Sequence, residues 1–183
     1  WTVDESINNL QLAVNLNPYM NKYRTSLAQA YSEKAVKTGN PRWTQQAVLV
    51  SEQGLQFNSR DVGMWIYLGD LHFYQAWEKA SYDKALRAYR KALQLHPASA
   101  GARWAIGDLY RIQGKYDLAI PILEEARDLA PYHTGVWYSL GLTYEKAGRW
   151  QEAKRAFQRV LELDPAYSKA REALARIEEE RGE

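Results

Sequence analysis

The stretch TGVWYSLGLTYEKAGRWQEAKRAFQRVLELD, residues Thr134–Asp164, decides the fold together with Pro165, which follows it. Apolar residues recur at helical spacing in two blocks. Gly148 separates the blocks and suits the left-handed conformation that ends a helix, whereas Pro165 stops the second block. Gly141 and Ala153 are small enough to let two antiparallel helices approach closely, with large rings beside them. The stretch therefore predicts a helical hairpin.

Seven positions in this stretch share one register with a known repeat. They are Trp137, Leu140, Gly141, Tyr144, Ala153, Phe157 and Pro165. Their spacing is W-x2-L-G-x2-Y, then A-x3-F, then P, so the chain resembles the tetratricopeptide repeat family. The resemblance implies an all-α fold, a right-handed superhelix in which the first helix of every pair lines the concave side.

The pattern extends over nearly the whole chain. We predict one solenoid domain over residues 1–183, with a half repeat at 1–20, four full repeats and a capping helix at 168–183. The full repeats are 21–61, 62–99, 100–133 and 134–167. Repeat 21–61 is seven residues longer than the 34-residue spacing of Gly107 and Gly141, a surplus of about two helical turns. The turn in repeat 21–61 is marked by Gly39-Asn40-Pro41, and the surplus in repeat 62–99 is expected to protrude at 73–80.

Composition excludes several classes of protein. With 46% hydrophobic and 25% charged residues the chain is a folded one, and a net charge of +2 gives no whole-molecule field for nucleic acid or anionic membranes. The absence of cysteine excludes disulfides, and no apolar run reaches the roughly 18 residues that suggest a membrane span. Because the chain begins at Trp1 rather than Met, we expect a piece of a longer protein. Its compartment stays open between cytoplasm and cell envelope.

No motif points to catalysis, a cofactor or a metal. His72, His96 and His133 are not spaced as metal ligands, and neither a phosphate-binding loop nor a nucleophile elbow occurs. We therefore predict that the chain is not an enzyme. Four basic residues on the second helix of repeat 62–99 are of the kind that contacts phosphate or lipid headgroups, but we interpret them as ordinary charge on the convex side. They are Lys84, Arg87, Arg90 and Lys91.

The resemblance implies a peptide-binding groove along the first helices. Its predicted residues are Ile66, Tyr67, Asp70, Phe73, Tyr74, Trp104, Asp108, Arg111, Tyr138 and Leu142. Rings beside carboxylates suit a peptide with apolar anchors and at least one Lys or Arg. The alternative is that the rings only pack between hairpins. The cationic clamp by which chaperone-binding members hold a terminal carboxylate is absent, since other residues occupy its positions. They are Thr25, Gln29, Tyr67, Gly101 and Ala105.

These features predict a non-catalytic scaffold that holds a partner protein or peptide in the groove between Ile66 and Leu142. One alternative is the soluble appendage of a larger bacterial membrane or cell-envelope protein, because Leu16–Tyr19 looks like the repeat tails of O-antigen polymerases and ligases. Another is a self-assembling module, in which the helix predicted at Val3–Pro18 stacks on the terminal helix of a second copy.

Overall fold

Every element that the structure describes is helical. The computed structural model describes residues 2–74 and 79–181, which form ten α-helices and no strand. In chain order they are α1 (Val3–Leu16), α2 (Asn21–Thr38), α3 (Pro41–Phe57), α4 (Val62–Tyr74), α5 (Lys79–Leu95), α6 (Ala100–Ile112), α7 (Tyr116–Leu129), α8 (Thr134–Lys146), α9 (Trp150–Leu163) and α10 (Ser168–Arg181). The predicted all-α fold is confirmed. Residues 75–78, within the segment expected to protrude, and residues 182–183 of the predicted capping segment lie outside the described residues.

The chain divides into two compact units. The N-terminal unit is Trp1–Pro97 and the C-terminal unit is Ala98–Glu183. In each unit a first helix (α2, α4, α6 or α8) packs along the second helix that follows it (α3, α5, α7 or α9), and these pairs are the hairpins. The half-repeat helix α1 packs on α2, and α10 packs on α9. That residues 1–183 act as one domain stays a prediction.

The first hairpin shows where its surplus residues lie. Helices α2 and α3 have 18 and 17 residues, whereas α8 and α9 have 13 and 14. Gly39 ends α2 with φ of 64°, a left-handed conformation that strains residues with a Cβ. Pro41 occupies the first turn of α3, and the Asn40 side chain accepts a hydrogen bond from the backbone N–H of Arg42. The extra length therefore lies in both helices rather than in the turn.

Small residues stand where paired helices approach closely. A Cβ placed on Gly141 of α8 would lie 2.5 Å from the ring of Phe157 on α9, and that ring is fully buried. Gly107 meets Leu123 in the same way, and Gly69 meets Tyr89. The hairpin predicted from Gly141 and its neighbours is thus confirmed, and its core forms because glycine leaves room for the ring opposite.

Candidate functional site

The predicted groove residues fall in both units. Five of them lie on α4 of the N-terminal unit: Ile66, Tyr67, Asp70, Phe73 and Tyr74. The others lie on α6 and α8 of the C-terminal unit: Trp104, Asp108, Arg111, Tyr138 and Leu142. All ten are on first helices, and their role in binding stays a prediction.

In the N-terminal unit, Tyr67 and Asp70 each have a partner on another helix. The Tyr67 hydroxyl lies 2.7 Å from Ser32 Oγ on α2, and the Tyr89 hydroxyl on α5 donates to Asp70 Oδ1 at 2.7 Å. Burial, and then the charge of Asp70, raises the pKa of Tyr67, whereas the hydrogen bond to Ser32 lowers it. Burial also raises the pKa of Asp70, against the effect of the Tyr89 hydrogen bond. These two side chains therefore contribute to packing between helices.

Tyr74 is the most exposed of the ten predicted groove residues. Its side chain is 79% exposed, and its ring lies 5.7 Å from that of Phe73. Phe73 is half-buried and also approaches Tyr82 on α5, at 6.3 Å between ring centroids. Ile66 is half-buried as well. On α4, Tyr74 is thus the ring that packing leaves accessible.

In the C-terminal unit, Trp104 packs between the third and fourth hairpins. Its indole N–H donates to Ser139 Oγ on α8 at 2.8 Å, and its ring centroid lies 4.9 Å from that of His133. A Cβ on Gly135 would lie 2.9 Å from the indole. These contacts are the ones expected if the Trp104 ring packs between hairpins.

Tyr138 of α8 is half-buried among rings. Its ring centroid lies 5.8 Å from Phe157 on α9 and 5.1 Å from Tyr167, just before α10. Leu142, one turn further along α8, is half-buried against the same core. Burial and the nearby Tyr167 raise the pKa of Tyr138, whereas the positive charges of two neighbouring arginines lower it. The phenol ring thus lies at the boundary between the core and a charged surface.

The arginines of two ion pairs act electrostatically on Tyr138. Arg111 Nε lies 2.7 Å from Asp108 Oδ1 on α6, and Arg176 of α10 donates to both carboxylate oxygens of Glu145 at 2.9 Å. Arg176 and Arg111 are the two arginines whose charges act on Tyr138. We call these five residues, on α6, α8 and α10, the C-terminal face. It combines one ring with two guanidinium groups that are each paired with a carboxylate.

Sequence reasoning did not select Arg176. Counted from Ser168, the start of α10, it is the ninth residue of its helix, as Asp70, Asp108 and Leu142 are of α4, α6 and α8. If the predicted capping helix had been counted as one more first helix, its ninth residue, Arg176, would have been selected.

Neither a metal site nor a membrane-spanning helix occurs in residues 2–74 and 79–181. There, no group of three or more His, Asp or Glu side chains is placed to hold a metal ion. No helix in those ranges is both long enough and apolar enough to cross a bilayer. The described side chains offer rings, ion pairs and apolar surface, which are the elements of a binding surface.

Comparison with known proteins identifies the repeat. Residues 98–166 match the family model described as tetratricopeptide repeat. No curated protein matches the chain.

Three solved structures share the fold. The thermophilic repeat protein TTC0263 of Thermus thermophilus is 21% identical with a TM-score of 0.76, covering 96% of this chain and 90% of its own. MamA residues 41 to the end from Desulfovibrio magneticus RS-1 are 21% identical with a TM-score of 0.69, covering 87% and 86%. The first repeat domain of Spaghetti (RPAP3), bound to the HSP90 peptide SRMEEVD, is 23% identical with a TM-score of 0.63, covering 69% and 97%. Residues 98–166 therefore match the tetratricopeptide repeat by sequence, and most of the chain shares the fold of these solved repeat structures.

Proposed function

We propose that the chain is a non-catalytic scaffold whose first helices bind a segment of a partner polypeptide. The observation that supports this most is the C-terminal face, where the charges of Arg111 and Arg176 both act on the half-buried phenol of Tyr138. The fold is shared with a repeat domain bound to a peptide, which makes a polypeptide the natural class of partner. Nucleic acid is not expected, because the net charge of +2 provides little attraction for phosphates.

The C-terminal face suits a segment with an apolar side chain beside a charged one. The apolar side chain packs on the Tyr138 ring, and a charged group of the partner replaces one member of one of the two ion pairs. Of the two carboxylates, that of Asp108 is the more accessible for such exchange, because its side chain is 27% exposed whereas that of Glu145 is 8% exposed. In the N-terminal unit the corresponding anchor is Tyr74, which protrudes from α4.

The test uses peptides selected from a random library on the immobilised protein. Tyr74→Ala and Tyr138→Ala are each expected to weaken a selected peptide about 5- to 30-fold, as loss of a hot-spot ring does. Tyr132→Ala is the matched control, because Tyr132 lies before α8 rather than on a first helix and is 76% exposed, close to Tyr74. Calorimetric titration measures the affinities, and thermal unfolding checks that each variant folds.

The control decides the outcome. Binding that survives both first-helix substitutions, or that Tyr132→Ala weakens equally, contradicts the proposal. Binding that only the first-helix substitutions weaken supports it.

Self-association through α1 is a second candidate. Leu12 and Leu16 of α1 are 57% and 70% exposed, and Tyr19 just after the helix is 83% exposed, which leaves an apolar strip uncovered. Light scattering across a concentration range tests this: wild type is expected to self-associate and Leu12→Glu/Leu16→Glu to stay monomeric. A wild-type monomer at high concentration ends the idea. Attachment to a larger membrane protein stays a prediction on which no described residue bears.

A further inference from the structure

A cleft in the N-terminal unit lies between the first helix α4 and the two second helices α3 and α5. Its volume is about 490 Å³. The lining residues are Glu52 of α3, Trp65, Leu68 and His72 of α4, and Lys84, Arg87, Ala88 and Lys91 of α5. We call it the basic cleft. None of these residues belongs to the groove predicted from the sequence.

The basic cleft carries uncompensated positive charge. Lys84, Arg87 and Lys91 are spaced i, i+3 and i+7, so they form one stripe along α5 about 10 Å long at 1.5 Å per residue. A single carboxylate in the lining, that of Glu52, faces these three cations. Among the ion pairs of the described side chains, none includes any of these four residues.

The field of these cations reaches the floor of the cleft. His72 is 8% exposed and lies beneath α5. Burial lowers the pKa of His72 most, and the charges of Lys84 and Arg87 lower it further. No neighbouring carboxylate is among the causes that act on this imidazole. The floor is therefore electropositive, and an anion placed there would be attracted.

The C-terminal unit contains an equivalent cleft, whose lining has four arginines and three glutamates. Its volume is about 540 Å³. Trp137, Tyr144, Glu152, Arg155 and Arg159 stand at the repeat positions of Trp65, His72, Lys84, Arg87 and Lys91.

Three contacts satisfy the polar groups of this second cleft. Arg149 pairs with Glu152 at 2.8 Å and Arg159 pairs with Glu162 at 2.6 Å. The Tyr144 hydroxyl donates to Glu124 at 2.6 Å. The same repeat geometry thus occurs with four cations against three carboxylates in one unit and with three cations against one carboxylate in the other, so the larger excess in the basic cleft is not a requirement of the fold.

We propose that the basic cleft binds an extended, acidic segment of a partner polypeptide. A stripe of about 10 Å is too long for one compact anion, whereas an extended polyproline-II segment places every third side chain on one side, about 9 Å apart. Carboxylates three residues apart then meet Lys84 and Lys91, with Arg87 between them. The half-buried Trp65 ring and Leu68 supply apolar floor for a side chain between the acidic ones. This site is separate from the first-helix surface, and either proposal can fail alone.

The test measures binding of an acetylated peptide, Glu-Pro-Pro-Glu-Pro-Pro-Glu, by calorimetric titration. Arg87→Gln/Lys91→Gln is expected to weaken binding at least tenfold. The matched control is Arg155→Gln/Arg159→Gln, which removes the same net charge at the same repeat positions in the other unit and is expected to change affinity less than twofold. In the wild type, binding is expected to weaken with salt and to raise the pKa of His72 measured by nuclear magnetic resonance, because a bound anion screens Lys84 and Arg87.

Three results would overturn the proposal. Equal weakening by both double substitutions would show general attraction to a basic surface. Equal binding of a peptide of the same composition with its three glutamates adjacent would show that the spacing has no role. Binding to vesicles rich in phosphatidylserine without binding to the spaced peptide would assign the cleft to lipid headgroups.

Discussion

The close approach of α8 and α9 at Gly141 predicts a specific loss of stability. In Gly141→Ala the new Cβ would lie 2.5, 2.7 and 2.8 Å from three ring carbons of Phe157, whereas carbon atoms prefer about 3.5–4.0 Å. The ring would have to move by about 1 Å in a fully buried site. Overpacking of this kind costs about 2–3 kcal/mol, and the better helix propensity of alanine returns about 1 kcal/mol. The net expected loss is about 1–2 kcal/mol.

Gly63→Ala is the matched control. Gly63 is also helical, in the first turn of α4, but the nearest atom to its added Cβ is Asp61 Oδ1 at 3.6 Å, an ordinary contact. This substitution is expected to leave stability unchanged or to raise it by about 0.5–1 kcal/mol.

Urea unfolding followed by circular dichroism measures both variants. In Gly141→Ala/Phe157→Leu, the smaller side chain opposite the new methyl group should make the loss smaller than the sum of the single losses, a coupling of about 0.5–3 kcal/mol. If Gly141→Ala is as stable as wild type, or if the two changes at positions 141 and 157 are additive, the close-approach argument is wrong.

Three further predictions concern polar groups. Tyr89→Phe is expected to cost about 1–2 kcal/mol in urea unfolding because Asp70 loses its donor, and adding Asp70→Leu should recover much of this. Arg176→Ala leaves the carboxylate of Glu145, a residue 8% exposed, without its cation; a loss of about 1–3 kcal/mol and faster amide hydrogen exchange in α10 should follow. Folding lowers the pKa of His72, so the unfolded state binds the proton more tightly than the folded state does. Stability should therefore fall as the pH drops below about 6.5, and His72→Tyr should reduce that fall.

Each of these has a clear contrary result. Unchanged stability in Tyr89→Phe would mean that the hydrogen bond to Asp70 is replaced by water at no cost. Unchanged exchange in α10 would show that Glu145 does not hold this helix. Identical pH profiles for wild type and His72→Tyr would remove His72 from the acid response.

Spacing within one hairpin explains which parts of the fold could be predicted from the sequence. The register of Gly141, Ala153 and Phe157 predicted the hairpin, because close approach needs a small residue opposite a large one. Gly39 and Pro41 predicted the turn of the first hairpin, because each restricts the backbone in a known way. These are local signals, and the family pattern repeats them along the chain.

Contacts between helices explain what the sequence did not reveal. Asp70 was predicted to line the groove, and the spacing did not indicate the hydrogen bond that it accepts from Tyr89, 19 residues away on α5. Trp104 was also predicted to line the groove, and the spacing did not indicate the hydrogen bond from its N–H to Ser139, 35 residues away. The smaller charge excess of the second cleft depends on Glu152 occupying the repeat position of Lys84, a difference that a packing pattern ignores. Single-helix periodicity contains no information on such pairs.

The most direct test of the scaffold proposal locates a bound peptide on the hairpin formed by α6 and α7. Ile112 of the first helix and Leu118 of the second are 47% and 51% exposed, so they are nearly equal in access. A photo-reactive phenylalanine analogue is placed at either position, and cross-linking to a library-selected peptide is measured by mass spectrometry. The account predicts cross-links in place of Ile112 and few in place of Leu118. Cross-links mainly in place of Leu118 would contradict it.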